Sequence, residues 1–267
     1  MTADTGVPVL MYHAVASDPN DATRALSVTP EAFAAQMEVI GDLGLTPLTT
    51  AGLAARWRDR RPLPPRPVLV TFDDGYAGVH RHALPVLAGH GFPATLFVST
   101  GWLRGPYDTG GALDTMLDWH QVRELADAGV EIGGHSHSHP QLDQLDDDAL
   151  RFELTRCRDL VAGELGALPA SFAYPYGYSS RRVRQEVRAA GFAQALAVGN
   201  GLARRRQGPY ALRRVTVRRR TRIEEFARLV EGRAIARTFA TDRALTKGYA
   251  VVRRARQVRR KAIRTRV

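Results

Sequence analysis

The chain has 267 residues, 44% of them apolar and 24% charged, with a formal net charge of +11 and a single cysteine, Cys157. That balance predicts a globular protein of one large or two small domains and excludes a disulfide framework or a cysteine-rich zinc module, so a metal would have to be held by histidine and carboxylate. The opening MTADTGVPVLMYHAV has no basic segment leading into an apolar run, and no stretch approaches the ~18 apolar residues of a membrane span, which predicts a cytoplasmic protein.

A β-branched apolar run predicts the first strand over 7–13, VPVLMYH, ending on His13. A helix follows over 29–44, with Thr29 and Pro30 as N-cap and first-turn residues. The strand over 67–73, PVLVTFD, runs into Asp74 and Gly75, and a helix is predicted behind it over 76–91. Strands over 94–99 and 130–135 flank a helix over 117–129, whose Trp119 is read either as a sugar-facing wall or as a packing residue. After His135 come His137 and His139, then a helix over 146–166 that carries Cys157 as a small apolar filler. A strand over 171–175, a helix over 179–191, strands over 192–198 and 211–217 and a helix over 222–232 complete a domain spanning 1–232. Residues 233–267 read as a basic tail, helical or disordered, because the chain from Arg213 onward holds 19 of the 38 Lys and Arg but four of the 27 acids. Such a tail suits peripheral contact with an anionic membrane at its inner face, or a solvated arm. Nucleic acid is disfavoured, since 251–267 lacks stacking aromatics and no other segment reads as a nucleic-acid module.

Strand followed by helix, repeated, means a parallel sheet with helices outside it, and seven strands in about 230 residues fit an α/β fold of the distorted (β/α)7-barrel type. In such barrels the chemistry sits where strands end in loops, which places His13, Asp73, Asp74, His135 and Tyr176 on one rim. Two adjacent carboxylates at the end of a buried strand repel each other unless a cation lies beside them, although Asp-Gly is also a common turn. Adjacent side chains diverge, so one carboxylate can ligate a metal while the other moves protons. His135 and His139 are four apart, a spacing at which two imidazoles meet one ion if the chain turns after the strand, with His137 as a spare donor or supporting partner. Two imidazoles and a carboxylate suit zinc first, or another first-row divalent metal such as cobalt or nickel. His80, His82 and His90 read as ordinary helix residues.

TFDDG, HSHSH and FAYPYG resemble, in order and spacing, the first three motifs of the polysaccharide deacetylases of carbohydrate esterase family 4, the NodB-homology enzymes, over about residues 7–217. The resemblance implies Asp73 as the base, Asp74, His135 and His139 as metal ligands, and a groove lined by Tyr174, Pro175 and Tyr176. It also implies that the backbone N–H of Tyr176 helps hold the oxyanion. Two departures accompany it: Ala173 stands where the motif has an arginine that orients the base, and no histidine follows His139 to supply the general acid. The opening VLMYH looks like that missing late strand moved to the front, as in the branch similar to exopolysaccharide poly-N-acetylglucosamine de-N-acetylases. His13 is then the acid of a circularly rearranged NodB-like domain; the plainer reading is a core histidine at a strand end. The implied reaction is removal of N-acetyl groups from an amino sugar or glycan, with water activated by the cation, Asp73 accepting its proton and His13 protonating the departing amine. The alternatives are an amidohydrolase acting on small cyclic imides or ureides and a carbohydrate-binding relative without activity.

Overall fold

Strands β1 (Val9–Tyr12), β2 (Thr46–Leu48), β3 (Pro67–Phe72), β4 (Thr95–Val98), β5 (Glu131–Gly134), β6 (Ser171–Ala173), β7 (Gln194–Leu196) and β8 (Val215–Thr216) form one parallel sheet. The order is β7-β6-β5-β4-β3-β1-β8, with β2 also paired to β3. The structure is a computed structural model and describes residues 5–245, Tyr249 and Arg253. All six residues of β3, PVLVTF, are buried, as expected for a parallel strand covered on both faces. The first strand lies beside the last, Leu10 opposite Val215, and Leu212, just ahead of β8, bridges to Leu196 of β7. The segment around β8 therefore touches both ends of the sheet and curls it into the expected barrel-like shape.

Helices α1 (Asp21–Arg24), α2 (Pro30–Asp42), α3 (Thr50–Arg58), α4 (Leu84–His90), α5 (Trp119–Asp127), α6 (Asp147–Leu165), α7 (Arg181–Ala189), α8 (Ile223–Val230) and α9 (Ile235–Thr238) surround the sheet. Thr29 caps α2 by accepting from the Ala32 N–H, and Asp118 and Gln121 form a reciprocal capping box on α5. The helix expected over 76–91 is divided: Val79–Ala83 is a wide π turn leading into α4. Pro85 lacks the N–H that would continue a regular ladder through this point, which accounts for the widened turn before it. All seven expected strands are present with shorter ends; β2, α1 and α3 are additional. Pro47 obscures β2, since proline cannot donate to a ladder and is tolerated where no partner needs its N–H.

The main core packs Tyr12, Phe33, Met37, Ile40 and Phe72 between the sheet and α2, with ring centroids of Tyr12, Phe33 and Phe72 5.3–5.6 Å apart. A second cluster, including Leu150, Leu154, Phe172, Val187 and Phe192, fills the space under α6 and α7. Cys157 is buried and free, and burial pushes its thiol up to about 12, consistent with a packing role. Ile235 and Phe239 follow residue 232 yet are part of the main core. Among the described residues no helix is long and apolar enough to cross a membrane.

Candidate active site

The C-terminal ends of β3 and β5 are neighbours across β4, and sharp turns after each bring their polar residues together. Asp74, Ser136, His139 and Tyr176 all have positive φ, at 75°, 68°, 57° and 60°. Each such non-glycine residue costs about 1–3 kcal/mol, and such strain gathers where surrounding structure holds a functional geometry. The result is close convergence: Asp74 Oδ1 lies 3.2 Å from His135 Nε2 and 3.3 Å from His139 Nε2. One ligand atom from each of the three residues falls within a 4.8 Å set.

The donor chemistry of this set fits a divalent cation. His135 Nδ1 is 2.8 Å from the Ala173 carbonyl and donates to it, which leaves the Nε2 lone pair facing Asp74. Asp74 Oδ1 is buried and has no hydrogen bond. A carboxylate oxygen facing the acceptor nitrogen of His135 is repulsive until a cation sits between them and turns the contact into ligand bonds. His139 is held between two rings, Trp102 at 4.4 Å and Tyr176 at 4.8 Å between centroids. Trp102 was not expected here; it sits in a loop whose sequence, STGWL, carries no periodic signal.

Asp73 is placed differently. Its Oδ1 and Oδ2 accept from Arg214 Nη1 and Nη2 at 2.6 and 2.7 Å, a bidentate pair with Arg214 fully buried. Arg214 also donates to Ala197 O and Thr71 Oγ1 and lies over the Phe97 ring. Burial alone would raise Asp73, but the Arg214 charge, His135 and the two charged hydrogen bonds hold its carboxyl below the usual range. Asp73 Oδ2 is 4.0 Å from His135 Nε2, so this ionised carboxylate borders the ligand set without belonging to it. The arginine absent at Ala173 is thus supplied from the residue before β8.

His13 directly follows β1 and lines the same cavity as Asp73, Asp74, His135 and His139. Its Nδ1 is buried without a hydrogen bond, and burial lowers its pKa while Asp74 and Asp73 pull it back up. Tyr176 is 52% exposed on the rim. Tyr174 borders the cavity, but its ring is in the second core and its hydroxyl donates to Tyr210 O. Pro175 is buried, does not line the cavity and opens the turn that carries Tyr176. Trp119 is 5% exposed, packs edge-on to Tyr107 in the main core and does not line this cavity. The first turn of α5 points this ring inward, where its large apolar area is removed from water. His137 lies apart from the ligand set, with Nδ1 2.9 Å from Thr100 Oγ1 and its backbone N–H donating to Glu153.

The cavity encloses about 340 Å³. Leu113, Tyr176 and Leu245, which are 45%, 52% and 69% exposed, stand among its lining residues. Gly177, with φ of 74°, is required beside it: a Cβ there would lie 2.7 Å from Val198 N.

The profile of the family described as polysaccharide deacetylase matches residues 60–195. YxkH of Bacillus subtilis (strain 168) is 28% identical over 211 residues, 79% of this chain and 71% of that protein. The poly-beta-1,6-N-acetyl-D-glucosamine N-deacetylase of Escherichia coli (strain K12) is 24% identical over 260 residues; the match covers 84% of this chain but 38% of that enzyme. Among solved structures, IcaB from Ammonifex degensii superposes with a TM-score of 0.70 at 25% identity, covering 85% of this chain and 97% of that one. The Streptococcus pyogenes deacetylase PplD, solved with acetate, shares the fold with a TM-score of 0.76 at 24% identity, covering 86% and 99%.

Proposed function

Because this chain belongs to the polysaccharide deacetylase family, enzymes that remove N-acetyl groups from polysaccharides, we propose that it deacetylates a poly-N-acetylglucosamine chain at the rim of β3 and β5. The E. coli relative, named for its action on poly-beta-1,6-N-acetyl-D-glucosamine, supplies the substrate class. The observation that carries the reading is the Asp74, His135 and His139 set with an arginine-held Asp73 at its border. An opening reaction on small cyclic imides has no comparable support.

A divalent cation held by Asp74, His135 and His139, zinc in this proposal, would supply a Lewis acid that polarises the amide carbonyl and makes water more acidic. Asp73 accepts the proton of the attacking water, and Arg214 keeps that carboxylate ionised and fixes its orientation. The Tyr176 N–H donates to the oxyanion as the carbonyl becomes tetrahedral. His13 returns a proton to the departing nitrogen; the pKa lowering by burial makes its imidazolium a stronger acid, and the neighbouring carboxylates limit how far its protonated fraction falls. Acetate and a free amino sugar result.

The test is acetate release from soluble poly-β-1,6-N-acetylglucosamine oligomers by protein loaded with zinc, cobalt or nickel. Release is expected with metal and is lost on chelation. No release from N-acetylhexosamine oligomers of any linkage, despite a bound ion, would leave a carbohydrate binder without activity.

We assign the arginine-rich residues 254–267, which lie outside the described residues, to peripheral contact with an anionic membrane, at about 1 kcal/mol per basic residue near the surface. A chain ending at Arg253 should lose binding to phosphatidylserine vesicles at low salt and keep its turnover of soluble oligomers. Unchanged vesicle binding would remove this role.

A further inference from the structure

Beyond α9 the chain returns to the catalytic rim. Residues 240–245 are helical, and Asp242 and Leu245 line the cavity that holds Asp73, Asp74, His13, His135 and His139. Arg218 grips Asp242 through both terminal nitrogens, at 2.5 and 3.4 Å, and lies over the Phe239 ring. Farther on, Arg253 is 8% exposed, with Nε 3.2 Å from Asp143 Oδ2 and its guanidinium carbon 3.2 Å from the centre of the Tyr178 ring. Tyr249 lies against the same ring at 6.0 Å. Tyr178 stacks on Tyr176 at 5.9 Å and 19°, and the Tyr176 ring is 4.8 Å from that of His139. An unbroken run of contacts therefore joins Arg253 to an imidazole of the ligand set.

This run adds tertiary restraint to a turn that is otherwise held by the Gly177 N–H to Tyr174 O and Tyr178 N–H to Pro175 O hydrogen bonds. Tyr176 has a left-handed backbone and a half-exposed ring, a conformation that persists only where its surroundings over-determine it. Tyr178 is the ring against which Tyr176 rests, and a buried guanidinium on Tyr178 restrains both, since planar stacking is favourable only in a narrow geometry. Asp143 fixes the other side of that guanidinium, and a buried carboxylate left without its cation is strongly unfavourable, so Arg253 cannot leave without disturbing the whole stack.

We propose that the C-terminal segment belongs to the active site: Arg253 is a positioning residue that clamps Tyr178 and so sets the Tyr176 turn, while Asp242 and Leu245 form a groove wall for a neighbouring sugar of the glycan. The inference rests on the deacetylase reading above. The chemistry matches a pyranose chain, whose C–H faces pack on the exposed Leu113, Tyr176 and Leu245 and whose hydroxyls donate to Asp242.

The experiment uses the full zinc-loaded chain with Arg253→Ala, Arg253→Lys and Leu245→Ser. It measures kcat and KM on soluble N-acetylglucosamine oligomers and on a small aryl acetate, zinc affinity, and hydrogen exchange of the amides at 174–178. Arg253→Ala should lower kcat about tenfold on both substrates, with zinc affinity within about twofold, and speed exchange at Tyr176 and Gly177 about tenfold. Arg253→Lys keeps the charge for Asp143 but not the planar stack, so it should recover part of kcat, and it decides the matter if the alanine variant does not fold. Leu245→Ser should raise KM for oligomers about fivefold and that of the aryl acetate by a smaller factor. Wild-type kcat and unchanged exchange in both Arg253 variants would overturn the clamp, and an unchanged oligomer KM in Leu245→Ser would overturn the wall. Exchange is read without turnover, so inactivity of the wild-type protein on every glycan would refute the deacetylase reading while the clamp is still decided.

Discussion

Asp73→Asn should lower turnover by about 10³-fold and still take up its metal ion, whereas Asp74→Ala should lose both turnover and metal. The two residues are adjacent in sequence, yet the positive φ at Asp74 turns their carboxylates to different tasks. Asp74 Oδ1 faces His135 and His139 at 3.2 and 3.3 Å, while both oxygens of Asp73 are occupied by Arg214. Asparagine at 73 keeps the size of the side chain and cannot accept the proton from water, so the loss appears in kcat. Zinc titration followed by acetate assay on the same samples separates the two effects. Equal loss of metal in both variants would mean that the carboxylates share one role.

Arg214→Met should destabilise the protein by about 3–5 kcal/mol, because it leaves the Asp73 carboxylate buried without its cation. It should also reduce kcat/KM by about 100-fold through loss of orientation. Asp73 works as a base only when deprotonated, and Arg214 holds its pKa below the usual carboxylate range. Without the guanidinium the largest influence opposing burial is lost, the pKa rises, and the acidic limb of the pH profile moves toward neutrality. Stability follows the same sign: a depressed native pKa contributes stability above the unfolded carboxylate pKa and loses it as pH falls through the native one, so the variant's deficit should shrink in acid. Arg214→Lys keeps the charge without the fork and should fall between the two if the methionine variant folds poorly. An acidic limb that does not move would show that something other than Arg214 keeps Asp73 ionised.

Much of this site is legible in local sequence because its residues lie at strand ends. The apolar run of β3 fixes where Asp73 and Asp74 emerge, and the spacing of His135 and His139 needs only a turn after β5 to converge on Asp74. Arg214 is harder to see, since the motif places its arginine at Ala173. A signal exists nonetheless: in ALRRVTV, alternate residues Leu212, Arg214 and Thr216 share one face, and an arginine on an inward face demands a buried acid. The family profile spans 60–195, so His13 and Arg214 reach the rim from either side of the matched region. Trp119 shows the limit of periodicity, for a tryptophan at the first turn of a helix fits a sugar wall or a core equally well until tertiary packing decides. β2 is concealed by Pro47, and Trp102 by a loop that has no pattern to read.

The pairing of β1 with β8 sets a schedule for the molecule's birth on the ribosome. Some two hundred residues separate Leu10 from Val215, so β1 must wait, with one flank bare, until β8 emerges. The counter-ion for the base arrives in that same late stretch. A nascent chain can therefore assemble the aspartate and histidines of the ion-binding corner well before it can bury Asp73 safely, and the rim is complete only once Arg214 and β8 have emerged.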